Sequence, residues 1–235
     1  MPGANRFAKP MRDYLRHFLG RIGRRVSVQS IQTLNSALNC LEVGRWIDAH
    51  GYRITLVVRR REELFDLVAR QLGQRQTLYL EFGVWTGAAT RYWSKLLHNP
   101  ESVLHGFDTF EGLPEDWNSL RGRGAFSANG KIPHLDDTRV EFFKGLFEQT
   151  LPDYKCPRHD ALILNMDADL YASTIFVLDS LRSEIVPGTY IYFDEFADRE
   201  HELRAFDEFV RKTGWRFSLL GLTYDMKHVM FQRLS

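Results

Sequence analysis

A doubly wound, mostly parallel α/β sheet is predicted by three observations on the sequence. Short apolar runs alternate with amphipathic stretches from about residue 78 to 212, the pattern of strands buried under crossover helices. The first of these runs, Leu78-Tyr-Leu80, ends in a glycine turn that feeds a helix. Acids then stand straight after one run after another: Glu81, Asp108, Asp167, Asp194 and Glu195. Together these predict a Rossmann-like sheet with N-terminal helices ahead of it and one antiparallel edge strand from a C-terminal hairpin.

The chain opens on a basic stretch, Arg6, Lys9, Arg12, Arg16, Arg21, Arg24 and Arg25 against a single Asp13. Met11, Leu15, Phe18, Leu19 and Ile22 recur at helical spacing within it, so it reads as an amphipathic helix that packs on the body, on another subunit or on a membrane surface. Residues 26–50 read as a second helix carrying Ile31, Leu34, Leu38, Leu41 and Trp46, closed by Gly51. Residues 62–72 form a third, with Glu62 and Glu63 in its first turn and Leu64, Leu67, Val68 and Leu72 on its apolar stripe. We divide the chain at this point, into a helical segment over 1–75 and a catalytic domain over 76–235.

The glycine turn is followed by a helix over 88–98, with Tyr92, Trp93, Leu96 and Leu97 toward the sheet. A second strand over 102–107 ends in Asp108. Residues 109–138 carry Gly112, Pro114, Trp117, Gly122, Gly124, Phe126, Gly130 and Pro133 with little periodicity, the character of a long functional loop whose Trp117 and Phe126 can wall a pocket. Strands over 139–144 and 161–166 come next, the latter ending in Asp167-Ala-Asp169-Leu-Tyr171. A helix with Ile175, Leu178, Leu181 and Ile185 is broken by Pro187-Gly188, and a strand over 189–193 ends in Asp194-Glu195. A helix bearing Leu203, Phe206, Phe209 and Val210 then leads to two strands, 216–220 and 227–232, joined by a turn.

The glycines of Glu81-Phe-Gly-Val-Trp-Thr-Gly87 lack the middle glycine of G-x-G-x-x-G, the one that lets backbone approach a pyrophosphate, and Trp85 stands there instead. A ligand with an amino acid end and an adenosine end but no pyrophosphate fits better, which favours S-adenosyl-L-methionine (SAM) over NAD. Asp108, 25 positions after Gly83, sits where acids of this fold class bind ribose hydroxyls, with a turn or cap aspartate as the plainer reading.

The same motif, with Gly106-Phe-Asp-Thr-Phe-Glu-Gly-Leu-Pro114 and Asp167-Ala-Asp-Leu-Tyr171, resembles the macrocin O-methyltransferase family over about residues 78–211. The resemblance implies a SAM-dependent, magnesium-assisted enzyme that methylates sugar hydroxyls. It implies cofactor contacts at Glu81, Gly83, Val84, Gly87, Asp108 and Asp167, and at Gly145 and Phe147 in the turn laid against adenine. It also implies leading helices that cover the site and build a homo-oligomer, and metal-binding acids at Asp167, Asp194 and Glu195. Glutamate at the last of these departs from the family's usual pair of aspartates. If the strands ending in Asp167 and Asp194 are neighbours, their tips lie about 5 Å apart, a spacing that suits a divalent ion such as Mg2+. Asp167 and His201 are the candidates for the catalytic base, with His228 and Asp169 as further ones.

A formal net charge of +1 gives no general attraction to nucleic acid. Cys40 and Cys156 are too far apart in sequence for a metal motif or a disulfide framework, which favours a cytoplasmic setting. No apolar run approaches the roughly 18 residues of a membrane span. The acceptor is then expected to be a small hydroxylated molecule. Three other readings stand beside this one: a metal-independent SAM methyltransferase, an NAD-dependent oxidoreductase, and a non-catalytic SAM-binding scaffold.

Overall fold

The computed structural model describes residues 8–234, so Arg6 lies outside the described residues. It divides into two compact units, residues up to Leu38 and residues from Asn39 onward. The first holds α1 (Ala8–Gly23) and the start of α2 (Val28–Ala49). Leu15, Phe18, Leu19 and Ile22 of α1, with Ile31, Leu34 and Leu38 of α2, are exposed.

The second unit holds an eight-stranded sheet: β1 (Val57–Val58), β2 (Thr77–Phe82), β3 (Val103–Asp108), β4 (Val140–Lys144), β5 (Ala161–Met166), β6 (Tyr190–Phe193), β7 (Phe217–Thr223) and β8 (Val229–Arg233). The strand order is β1-β7-β8-β6-β5-β2-β3-β4. Only β8 runs antiparallel to its neighbours, β6 and β7, which is the strand expected from the C-terminal hairpin. β1 pairs in parallel with β7 and extends the sheet beyond that hairpin. Two residues are too few to show a period in sequence, so this strand has no signature there.

The central strands are buried on both sides, as crossover connections require. Leu78, Leu80 and Phe82 of β2 point into a layer built with Trp46 and Ile47 of α2, Val177 and Leu178 of α6 (Tyr171–Ser180), and Phe206 and Phe209 of α7 (Glu202–Thr213). Tyr79 points the other way, into a layer with Leu64, Phe65, Val68 and Leu72 of α3 (Arg61–Leu72) and Ala89 and Trp93 of α4 (Ala88–Leu96). The period of two along a strand therefore places Glu81 on the α3–α4 side with Tyr79. A short α5 (Phe147–Thr150) follows β4.

At the start of α3 the Glu63 carboxylate accepts the amides of Arg59 and Arg60 at 3.1 and 2.9 Å, closing the first turn. That cap fixes where Arg61 leaves the helix. No helix among the described residues is long and apolar enough to cross a membrane.

Candidate active site

The carboxyl ends of β2, β3, β4, β5 and β6 open into one cavity of about 630 Å³, where open parallel sheets bind ligands. One end is formed by Gly83, Asp108, Gly145 and Phe147, and the other by Asp167, Asp169, Asp194, Glu195 and Arg61.

Gly83 has φ of +92°, and a Cβ built on it would fall 1.8 Å from the carbonyl oxygen of Asp167. No side chain fits there, and the turn after β2 presses directly on the backbone after β5. The Asp108 carboxylate accepts the amides of Val84 at 2.8 Å, Trp85 at 2.7 Å and Phe110 at 2.7 Å, so it holds the turn while also lining the cavity. Both of its sequence readings, turn aspartate and ligand-facing acid, thus describe one side chain. Phe147 stands edge-on to Phe82 at 5.6 Å and borders the cavity.

Val84 and Gly87 support the site without lining it. Val84 is buried against Gly106, and Gly87, at φ +74°, lies under Pro133 and Leu135. The 109–138 segment therefore covers the glycine turn. Phe126 lines the cavity beside Trp85, while Trp117 sits behind it and donates its indole N–H to Asp198 at 2.9 Å.

Glu81 does not reach the cavity. It is buried, and its carboxylate accepts the hydroxyls of Tyr79 (2.9 Å) and of Thr90 at the start of α4. Burial pushes its pKa up to about 7, against the lowering effect of those two hydrogen bonds. Its role in this geometry is to tie α4 to β2.

The acids at the other end are not alike. Asp194 Oδ1 receives the Arg61 guanidinium at 2.6 Å and the Tyr192 hydroxyl at 2.6 Å, with His228 Nδ1 at 3.2 Å. Burial works against its charge, but His228 and Arg61 hold its pKa below the usual range. Asp167 faces the same guanidinium at 3.8 Å, and burial together with Asp194 and Asp169 drives its pKa well up. The two acids of this pair are thus shifted in opposite directions, Asp194 down and Asp167 up. Glu195 turns toward Lys227 at 3.2 Å.

Asp169 was the less prominent candidate in the sequence, yet it has the most exacting backbone. The amide of Leu170 donates to the carbonyl of Ala168 at 2.6 Å, and Asp169 occupies the centre of that tight turn at φ +59°. Its side chain lines the cavity, and its carboxylate makes no hydrogen bond or ion pair with any described residue. Burial, then the neighbouring Glu195 and Asp194, raise its pKa to about 7. His201 is directed elsewhere: its Nδ1 accepts the amide of Tyr171 at 3.1 Å, and it does not line the cavity. His228 is held between Tyr192 and Asp194.

A divalent ion at Asp167, Asp194 and Glu195 would need three carboxylates turned to one point. Among the described residues no three His, Cys, Asp or Glu side chains are so placed. Asp167 and Asp194 converge instead on Arg61, and Glu195 on Lys227. As arranged, these residues do not fit a metal ion.

The sequence matches the profile of the family described as macrocin-O-methyltransferase (TylF) over residues 47–233. Among curated relatives, the 8-demethyl-8-(2,3-dimethoxy-alpha-L-rhamnosyl)-tetracenomycin-C 4'-O-methyltransferase of Streptomyces olivaceus is 27% identical over 150 residues, covering 53% of this chain and 57% of the relative. The chain thus spans little more than half the length of that relative. Demethyldecarbamoylnovobiocin O-methyltransferase of Streptomyces niveus is 28% identical over 197 residues, covering 75% of this chain and 74% of the relative. Among solved structures, the O-methyltransferase NovP superposes with a TM-score of 0.55 at 26% identity, over 74% of this chain and 78% of that one. The calicheamicin methyltransferase CalS11 superposes at 0.57 with 19% identity, over 88% of this chain and 93% of that one, a likeness of fold.

Proposed function

Because the chain belongs to the macrocin-O-methyltransferase family, we propose that it transfers the methyl group of SAM to a hydroxyl of a sugar or a glycosylated small molecule. The observation that carries this reading is the single cavity that joins the glycine turn to the acidic rim. Its volume suits a ligand of that size. Gly83 lets the turn close onto the backbone after β5 at the cavity wall, Asp108 offers carboxylate oxygens to ribose hydroxyls, and Phe147 offers an apolar edge to adenine. Both curated relatives are named as O-methyltransferases, and the name of the first gives a rhamnosyl-bearing compound as its substrate, which supports the acceptor class.

Bound SAM supplies a methyl group on cationic sulfur, so the leaving group is neutral. The protein's share is then to hold the acceptor in line and take its proton. Asp169 is the candidate for taking that proton: it lines the cavity, makes no hydrogen bond or ion pair with any described residue and is held there by its own turn. Asp167, which faces the Arg61 guanidinium, orients rather than accepts. The metal-assisted form of the reaction would require Asp194 to leave Arg61 and Glu195 to leave Lys227, and these pairings favour the metal-independent form. The exposed apolar faces of α1 and α2 support a homo-oligomer.

The test has two steps. Calorimetric titration with S-adenosylhomocysteine is expected to show one site per chain, and absence of binding would remove the methyltransferase reading. Turnover of radiolabelled SAM against a panel of glycosides then separates an enzyme from a scaffold, which binds cofactor and methylates none of them.

A further inference from the structure

The acid pair at the tips of β5 and β6 shares one positive charge, and that charge belongs to the protein. Arg61 Nη1 lies 2.6 Å from Asp194 Oδ1 and 3.8 Å from Asp167 Oδ2. Its side chain is three-quarters buried, and it leaves the first turn of α3 at a point fixed by the Glu63 cap. Asp194 Oδ1 already has the Tyr192 hydroxyl and His228 Nδ1 on its other sides, so no direction is left open on that oxygen for a further cation. Glu195, a methylene longer than aspartate, is turned to Lys227, and its amide donates to the buried Glu202 carboxylate at 2.9 Å.

We propose that Arg61 is the resident cation of this acid pair, standing where a divalent ion would have to sit, and that the site assembles and holds its cofactor without a metal ion. The inference rests on the methyltransferase reading for its meaning, but the pairing itself does not depend on that reading. A divalent ion entering between Asp167 and Asp194 would meet the guanidinium head-on, and like charges that close exclude one another. Arginine suits this role better than lysine, because its planar fork can face two carboxylates at once and does not give up its proton.

The experiment is a calorimetric titration of MnCl2 into the full chain, done for wild type, R61Q and R61K, with S-adenosylhomocysteine titrated into each sample. Removing the guanidinium leaves the acid pair without its cation, so R61Q is expected to bind Mn2+ at least about tenfold more tightly than wild type. R61K, which keeps a charge there, stays close to wild type. Stoichiometric Mn2+ binding by the wild type overturns the proposal, as does equal affinity in all three proteins or tight binding by R61K. If R61Q does not fold, the 15N resonance of the Arg61 Nε in the wild-type protein decides. It stays in place on addition of Mg2+ if Arg61 is resident, and it moves if the ion displaces it. Failure of S-adenosylhomocysteine to bind any of the samples would count against the methyltransferase reading and leave the Mn2+ comparison intact.

Discussion

Asp167 and Asp169 lie two positions apart in different surroundings: Asp167 faces the Arg61 guanidinium, while Asp169 lines the cavity on a tight turn and makes no hydrogen bond or ion pair with any described residue. Replacing Asp169 by Asn keeps its shape and its tolerance of positive φ but removes the proton acceptor. The expected result is a fall in methyl transfer of about 100-fold or more with unchanged S-adenosylhomocysteine affinity, read by turnover and calorimetry on the same protein. H201N, which leaves the cavity lining untouched, should keep most of the activity. Glu81 offers a second residue-scale test. Its pKa of about 7 lies above the ordinary 4.5, so the folded chain keeps a proton that the unfolded chain releases. Stability from this group is therefore full below the ordinary value and falls as pH rises through 7, by about 3 kcal/mol at most. E81Q should flatten that dependence: between about pH 5 and pH 8 the wild-type Tm should fall several degrees more than the variant's. None of these environments was legible in the sequence. A carboxylate after a strand can point up to the rim or sideways under a helix, and for Glu81 the period of two along β2 decides, once Tyr79 is known to face α4.

At the scale of elements, the turn after β2 and the segment after β5 are one structure in contact. G83A would drive a methyl into the Asp167 carbonyl in a backbone region that favours glycine. It is expected to cost about 3 kcal/mol or more and to abolish cofactor binding, measured by thermal unfolding and calorimetry. This pair of elements was legible because each strand carries a short apolar run, residues 78–80 and 161–164, followed closely by a glycine turn or an acid. The start of α3 was not. Arg59, Arg60 and Arg61 form one basic run in sequence, and only the Glu63 cap and the position of α3 decide which of them turns inward. The sequence reading also gave the acids at Asp167, Asp194 and Glu195 to a metal, because it saw the acids cluster and could not see the two cations that the fold brings from residues 61 and 227.

At the scale of the whole molecule, the cavity, its acid rim and Arg61 all belong to the unit that begins at Asn39. A chain comprising residues 39–235 is expected to bind S-adenosylhomocysteine with nearly full affinity. It should also sediment as a smaller species than the full chain, since it lacks the apolar side chains of α1 and the first turns of α2. Equal sedimentation of the two would place any self-association elsewhere. Both helices were legible in the sequence, but the division inside α2 was not, because the helix itself runs unbroken from Val28 to Ala49 across it.

The pairing of β1 with β7 joins Val57 to Leu222, close to opposite ends of the chain. During synthesis the strands that frame the cofactor end, β2 to β5, leave the ribosome well before β7 exists, and β1 has nothing to pair with until then. Until then the segment leading into Arg61 lacks its β1 anchor in the sheet, although α3 can already pack on β2 and α4. Pairing Val57 with Leu222 closes a loop over most of the sequence, and contacts so far apart along the chain are expected to form late. A refolding experiment that follows both cofactor binding and an Arg61-sensitive signal should see the second appear with the C-terminal hairpin.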